Sequence, residues 1–188
     1  MGTLELPPIV RRCQGGDELA WERLIRSQQA RVYALCCHYT RDRTEAYDLA
    51  QEVFIRVYRR LGDLEDVERF LPWLMRIVRN AAIDHSRRRR ARPPAQDVPA
   101  EEMWSLRDDA AGPADRAEMR SDQRLVHRAL QLIGAKHREV LLMHEIQGLA
   151  LEEVAQLLDL PVGTVKSRSS RARRELAEAV LSLEGGVA

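Results

Sequence analysis

Apolar residues recur at intervals of three and four along almost the whole chain, and this spacing limits the fold to packed helices. Aromatic residues make up only 5% of the chain, and no segment alternates between apolar and polar residues as a strand would. The pattern is most regular between residues 44 and 61, where the apolar positions are Ala46, Leu49, Ala50, Val53, Val57 and Leu61. The sequence therefore predicts an all-α protein.

Caps and breakers divide this pattern into helices. Gly15 and Gly16 interrupt the chain, and Asp17 is placed to cap a helix that begins ELAWERLI. Further helices are predicted over 27–40, over 44–61 and from Pro72 to an arginine run. Later in the chain, helices are predicted over 120–133, 136–147, 150–158 and 164–181, and Gly148 is expected to end the second of these.

The formal net charge of +1 conceals a strong segregation of charge. Residues 87–92 read RRRRAR, and residues 164–174 read TVKSRSSRARR with five basic residues and no acid. The stretch between them is acidic over 97–118. Two basic patches indicate two surfaces for a polyanion, although either run alone is equally compatible with a solvated face or a disordered arm.

Residues 93–119 combine these acids with Pro93, Pro94, Pro99, Gly112 and Pro113. Such a composition is typical of a linker. We therefore expect two helical domains, 1–92 and 120–188, joined by a flexible acidic linker over 93–119. Fully extended, this linker would reach at most about 90 Å.

The segment LALEEVAQLLDLPVGTVKSRSSRARREL has the pattern of a helix-turn-helix. Small Ala155 allows close approach of a second helix, Pro161 ends the first helix, and β-branched Val165 returns to the core. Thr164 is placed to cap the second helix, which would enter the major groove of DNA. The alternative is a helical hairpin inside a bundle. The outward residues of the second helix are Lys166, Ser167, Ser170, Arg171 and Arg174.

The run PVGTVKSRSSRARREL, with HREVLLMHEIQGLALEEVA before it, resembles region 4 of the extracytoplasmic-function (ECF) sigma factors of bacteria. GDELAWERLI, DLAQEVFIRVYRRL and FLPWLMRIVRNAAIDHSRRRR resemble region 2 of the same family, in the same order. The resemblance covers residues 9–92 and 120–181, and it implies a sigma factor that directs RNA polymerase to promoters.

For region 4, the resemblance implies that the recognition helix reads the −35 element of the promoter. Two residues depart from the family pattern: Asp159 replaces a turn glycine, and Ser169 replaces an apolar residue, which should loosen the packing of the helix. Asp tolerates the left-handed conformation better than most residues. The implied DNA-binding residues are Thr164, Lys166, Ser167, Arg168, Ser170, Arg171, Arg174 and Arg138.

For region 2, the resemblance implies docking on the clamp helices of the largest polymerase subunit and melting of the −10 element around a flipped base. The segment 62–69, GDLEDVER, would form the wall of the base pocket, and Leu64 stands where the family often has an aromatic residue. The implied −10 residues are Leu64, Arg76, Asn80, Asp84, Arg87 and Arg88. The implied polymerase-binding residues are Asp48, Gln51, Glu52, Arg56 and Arg59.

The implied partners are core RNA polymerase, including the flap of its second-largest subunit, promoter DNA, and an anti-sigma factor that stabilises a closed form. Two other hypotheses remain open: a DNA-binding regulator that acts without polymerase, and a mimic that titrates an anti-sigma factor. No catalytic, cofactor or metal motif is recognised, so we do not expect an enzyme, a cofactor or a metal ion.

Three cysteines and no apolar run of the roughly 20 residues that a membrane span needs favour a protein of the bacterial cytoplasm, free or held at the membrane by an anti-sigma factor. Cys36 falls on an apolar helix face and is predicted to pack in the core. Cys37, if exposed, would be a candidate redox or metal sensor.

Overall fold

The computed structural model describes residues 6–40, 42–90 and 125–185, apart from the side chain of Arg90. The chain divides into two compact units, Met1–Glu102 and Met103–Ala188. All regular structure in the described residues is helical, as the apolar spacing predicts. The predicted linker over 93–119 lies outside the described residues. Within the described ranges, no helix has both the length and the apolar character needed to cross a membrane.

The N-terminal unit contains four α-helices: α1 (Leu6–Gln14), α2 (Glu18–Tyr39), α3 (Arg43–Arg60) and α4 (Phe70–Arg90). Two short 3₁₀ turns, Leu61–Asp63 and Val67–Arg69, connect α3 to α4. Helix α1 was not predicted; it begins with Pro7 and Pro8 in its first turn, where missing N–H donors cost nothing.

The predicted boundary between two helices near residue 27 is wrong, because α2 runs unbroken from residue 18 to residue 39. Polar residues in the middle of α2 interrupt the apolar spacing, and the sequence therefore suggested a boundary where the helix continues. Gln28 is only 3% exposed, and its amide donates a hydrogen bond to Ser27 Oγ. The predicted cap at Asp17 is confirmed, since its carboxylate accepts a hydrogen bond from Ala20 N at 3.0 Å. Helix α4 begins two residues before Pro72.

Helices α2 and α3 form a hairpin that α4 covers. The connection between α2 and α3 is short, and Asp42 caps α3 by accepting from Glu45 N at 2.8 Å. The core between the helices contains the fully buried side chains Leu24, Leu35, Leu49, Phe70, Leu74 and Met75. Cys36 is also fully buried, which confirms its prediction as a core residue.

The C-terminal unit contains helical residues 125–132 (α5), α6 (Ala135–Leu141), α7 (Leu151–Leu158) and α8 (Val162–Gly185). Where one helix was predicted over 136–147, α6 widens into a π-helical turn, Leu142–Ile146. The predicted stop at Gly148 is confirmed, because this residue has a φ of +75° just after the turn.

Helices α7 and α8 form the predicted helix-turn-helix. Val154, Ala155 and Val165 are buried between them. Asp159 adopts the left-handed conformation with φ 54° and ψ 53°, and Leu160 N then donates to Ala155 O at 3.0 Å. The predicted cap at Thr164 is wrong. Helix α8 begins at Val162, because Pro161 O already accepts from Thr164 N at 2.9 Å and closes the first turn.

Candidate nucleic-acid and polymerase interfaces

The N-terminal half of α8 has an outward face that is basic and polar. Two of the predicted −35 residues, Thr164 and Arg168, are half-buried along its border. Ser167 Oγ donates to Thr164 O at 2.9 Å, so this hydroxyl also stabilises the first turns of the helix. The exposed members of the predicted set are Lys166, Ser167, Ser170, Arg171 and Arg174.

The opposite face of α8 is fixed to the body of the C-terminal unit. Ser169 is only 2% exposed, and its Oγ accepts a hydrogen bond from Arg173 at 3.2 Å. Arg173 also pairs with Glu145 at 3.1 Å, and His137 Nδ1 lies 2.8 Å from Glu175. These contacts join α8 to α6 and to the π-helical turn, so the basic outward face has a defined orientation on its support.

Arg138, the predicted phosphate contact outside α8, is half-buried. Its guanidinium donates to Ile133 O at 3.3 Å, and burial lowers its pKa. In this conformation Arg138 stabilises the end of α5 rather than presenting an open cation to solvent.

In the N-terminal unit, the predicted −10 residues of α4 divide into two groups. Successive residues turn by about 100° around an α-helix, so Arg76, Asn80 and Arg87 fall within about 40° of one another. All three are exposed. Asp84 and Arg88 lie further around the helix, on the side that faces α3. The trio is therefore one surface of α4 that is open to a ligand, and Arg88, which is also exposed, lies beside it.

Leu64, predicted to contact a base, points into the core and is only 7% exposed. Leu61, Leu64 and Val67 are all buried, since the segment between α3 and α4 turns one residue in three inward. Its exposed side chains belong to Asp63, Glu65, Asp66, Glu68 and Arg69. The structure removes the Leu64 side chain from the candidate surface and leaves a predominantly acidic segment in its place.

The predicted polymerase-binding residues of α3 also divide. Asp48, Gln51 and Arg59 are exposed, whereas Glu52 and Arg56 are half-buried against α4. Arg56 lies 2.6 Å from Glu52 and 3.0 Å from Asp84, and Arg88 lies 2.8 Å from Glu52. We call these four residues the α3–α4 cluster; it joins members of two predicted sites.

The protonation of the cluster follows from its geometry. Partial burial works to raise the pKa of Glu52, but hydrogen bonds from Arg88 and Arg56, and the charges of both, outweigh it and hold this pKa below its ordinary value. Burial likewise opposes the charge on Arg56, yet Glu52 and Asp84 raise its pKa. Glu52 and Arg56 are therefore both charged at neutral pH.

Sequence reasoning missed the apolar part of the exposed face of α3. Tyr47, Ile55 and Tyr58 are 59%, 52% and 67% exposed. They share a face with Gln51, and the Tyr58 ring lies 5.0 Å from that of Trp21 on α2. Their helical spacing was a usable signal, because it places them outside the stripe that fills the core. Exposed aromatic side chains of this kind are typical of protein interfaces.

Comparison with known proteins shows to which family the chain belongs. Residues 24–92 match the profile of sigma-70 region 2, and residues 123–176 match that of sigma-70 region 4. The RNA polymerase sigma-H factor of Pseudomonas aeruginosa is 36% identical over 180 residues, which cover 93% of each chain. The chain belongs to the sigma-70 family. The ECF RNA polymerase sigma-E factor of Escherichia coli K12 is 32% identical over 180 residues, covering 93% of this chain and 94% of that one, and this places the present sigma factor in the ECF group.

Solved structures share the fold of this ECF sigma factor. CnrH, in a complex with the cytosolic domain of CnrY, matches with a TM-score of 0.59 and 22% identity over 97% of this chain and 99% of its own. The sigma factor RpoE of Bartonella quintana, in a complex with the anti-sigma factor NepR, matches with a TM-score of 0.58 and 20% identity over 85% and 95% of the two chains. Sigma factors are transcription initiation factors, and the two matched regions correspond to the two compact units.

Proposed function

We propose that this ECF sigma factor binds core RNA polymerase in the bacterial cytoplasm and selects promoters by two contacts. Region 4 reads the −35 element with the outward face of α8, and region 2 reads and melts the −10 element with α4 and the segment 62–69. The observation that carries the proposal is the exposed basic face of α8, oriented on a helix-turn-helix. Region 2 supports it with the exposed trio Arg76, Asn80 and Arg87.

In region 4, Lys166 and Arg171 are proposed to contact guanine edges or phosphates. A bidentate Arg–guanine contact discriminates against the wrong base by about 1–3 kcal/mol. Removing one phosphate-binding cation lowers the slope of log affinity against log salt by about 0.9. Measuring binding at several salt concentrations therefore separates base-reading residues from phosphate-binding ones.

In region 2, Asn80 is proposed to hydrogen-bond a flipped −10 base, because an amide offers both donors and an acceptor. Arg76 and Arg87 flank it and are proposed to neutralise phosphates. Asp84 and Arg88 join the α3–α4 cluster, so we assign them a supporting role in which a phosphate near Arg88 competes with Glu52 for its guanidinium.

The polymerase contact is proposed on the exposed face of α3, centred on Tyr47, Gln51, Ile55 and Tyr58 with Asp48 and Arg59 at its border. An aromatic and aliphatic centre with charged residues around it is the composition of a protein interface. The partner surface proposed is the clamp helices of the largest subunit, with the flap of the second-largest subunit on region 4.

The decisive experiment is in vitro transcription with core polymerase and a promoter library. The wild-type protein should give promoter-dependent runoff product, and Lys166→Ala with Arg171→Ala should remove −35 preference while leaving polymerase affinity intact. Arg26→Ala is a matched control, because Arg26 is an exposed cation on α2 paired with Glu22. Operator binding without any runoff product would instead indicate a regulator that acts without polymerase.

Control by an anti-sigma factor is a further part of the proposal. It is supported by the two solved sigma factors of the same fold, each of which is bound to such a partner or to the cytosolic domain of another protein. Affinity purification from the native cell should recover a partner that lowers polymerase binding. If the free chain and the partner-bound chain bound polymerase equally, this part would be wrong.

A further inference from the structure

The last residue of α1 makes a long-range contact with the segment between α3 and α4. The side-chain amide of Gln14 donates to Leu61 O at 3.0 Å and to Leu64 O at 2.8 Å, across 47 and 50 positions of the sequence. A glutamine amide has two N–H donors, and both are used here. Gln14 thereby holds the two ends of a single turn.

Gln14 holds the backbone of this turn from outside the core, whereas the turn's own side chains hold it from inside. Leu61 and Leu64 are 1% and 7% exposed, so their side chains anchor the turn in the core. Leu64 N donates to Leu61 O at 3.2 Å and closes the turn, and Gln14 binds the same carbonyl from outside. Gly62 and Asp63, between the anchors, are held facing solvent.

The order continues along the segment. Asp66 accepts a hydrogen bond from Glu68 N at 3.0 Å and begins the second 3₁₀ turn, and Arg69 N donates to Asp66 O at 3.0 Å. Helix α1 supports this part as well, since Arg11 lies 3.8 Å from Glu68. The exposed carboxylates of Asp63, Glu65 and Asp66 are therefore attached to a backbone segment that is fixed at both ends.

We propose that Gln14 is a positioning residue for −10 recognition, which it serves by holding the segment 62–69 in the conformation that reads the flipped base. The inference rests on the proposed function of this segment as the wall of the −10 pocket. Carboxylates accept hydrogen bonds from the amino group of cytosine, and such recognition depends on where the backbone places them. Gln14 lies on α1, so it acts through the segment and not on the DNA.

The test substitutes Gln14 in the full-length protein. Gln14→Leu retains the bulk of the side chain and removes both donors; Leu61 O keeps its bond from Leu64 N, and Leu64 O loses the bond from Gln14. Gln14→Lys keeps a donor within reach of the carbonyls. Gln29→Leu is the matched control, an exposed glutamine on α2.

The measurement is runoff transcription with core polymerase on a library randomised over the −10 element, with the −35 element constant. Gln14→Leu should reduce the ratio of product from the preferred −10 base to product from the next by about three- to tenfold, the range expected for two partly exposed hydrogen bonds. Gln14→Lys should retain most of the preference, and Gln29→Leu should retain all of it.

Two further readouts separate positioning from a general loss of folding: polymerase affinity and −35 preference should stay within error of the wild type. The melting temperature, followed by tryptophan fluorescence, should fall by no more than the several degrees that about 1 kcal/mol gives in a domain of this size. If the wild-type −10 preference survives Gln14→Leu, the inference is overturned and the proposed function stands. Equal loss of product from every promoter with a lowered melting temperature also overturns it. A wild-type protein without promoter-dependent product would overturn the proposed function, and the inference with it.

Discussion

Replacing Glu52 by Gln should destabilise region 2 measurably, because one carboxylate serves two arginines. Glu52 accepts from Arg56 at 2.6 Å and from Arg88 at 2.8 and 3.0 Å. The side chains of Glu52 and Arg56 are 31% exposed and that of Arg88 is 59% exposed, so both pairs are partly screened by water. An i,i+4 pair contributes about 0.3–0.5 kcal/mol and a partly exposed pair about 0.2–1 kcal/mol, which gives about 1 kcal/mol in all.

Two of the three tryptophans, Trp21 and Trp73, lie in the N-terminal unit, so thermal unfolding followed by tryptophan fluorescence measures this loss mainly in region 2. A loss of about 1 kcal/mol should lower Tm by about 4–8 °C in a domain of this size. Glu22→Gln is the control, because it removes a single, more exposed i,i+4 pair with Arg26 and should change Tm less. Equal shifts for the two variants, or additive effects of Glu52→Gln and Arg88→Gln in a double-mutant cycle, would refute the reasoning.

Three further outcomes are expected. The pKa of Glu52 is lower in the folded state than its ordinary value of 4.5, so its contribution to stability is present above that value and is lost as pH falls through the folded pKa. Glu52→Gln should therefore flatten the fall in stability below about pH 4.5 in a profile of stability against pH. Asp159→Val should destabilise region 4 by about 1–2 kcal/mol in urea denaturation, whereas Asp159→Gly should not, because φ is 54° at this position. Burial raises the pKa of Cys36 to about 12 and also raises that of Cys37, so iodoacetamide at pH 8 should label both far more slowly in the folded protein than in urea. Rapid labelling of Cys37 in the folded protein would contradict this and favour a role as a sensor.

The local features of the fold were predictable because they depend on neighbours in the sequence. Apolar spacing located all the helices but α1, and the resemblance to the ECF sigma factors marked Asp159 as standing at the position of a turn glycine. The errors were also local. Pro7 and Pro8 argued against a helix where α1 forms. Gln28 interrupted the apolar pattern of α2, because a buried glutamine breaks the pattern without breaking the helix.

The candidate sites were predictable as sets of residues but not as surfaces. The family resemblance placed Glu52 and Arg56 in one set and Asp84 and Arg88 in another, whereas packing of α3 on α4 brings all four together. Residues separated by 28–36 positions meet only through tertiary structure, and nothing in the local pattern specifies such a pairing. The contact of Gln14 with the Leu61–Leu64 turn belongs to the same class.

The α3–α4 cluster makes Arg87 and Arg88 unequal neighbours in any encounter with a polyanion. Arg87 and Arg88 are both exposed, but Arg88 already donates to both oxygens of Glu52, so a phosphate that binds there competes with this carboxylate. The binding free energy that Arg88 contributes is thus the difference between its attraction to the phosphate and its attraction to Glu52. Added salt weakens both attractions. Consecutive arginines in one run would respond differently to ionic strength, with a steep dependence at position 87 and a shallow one at position 88.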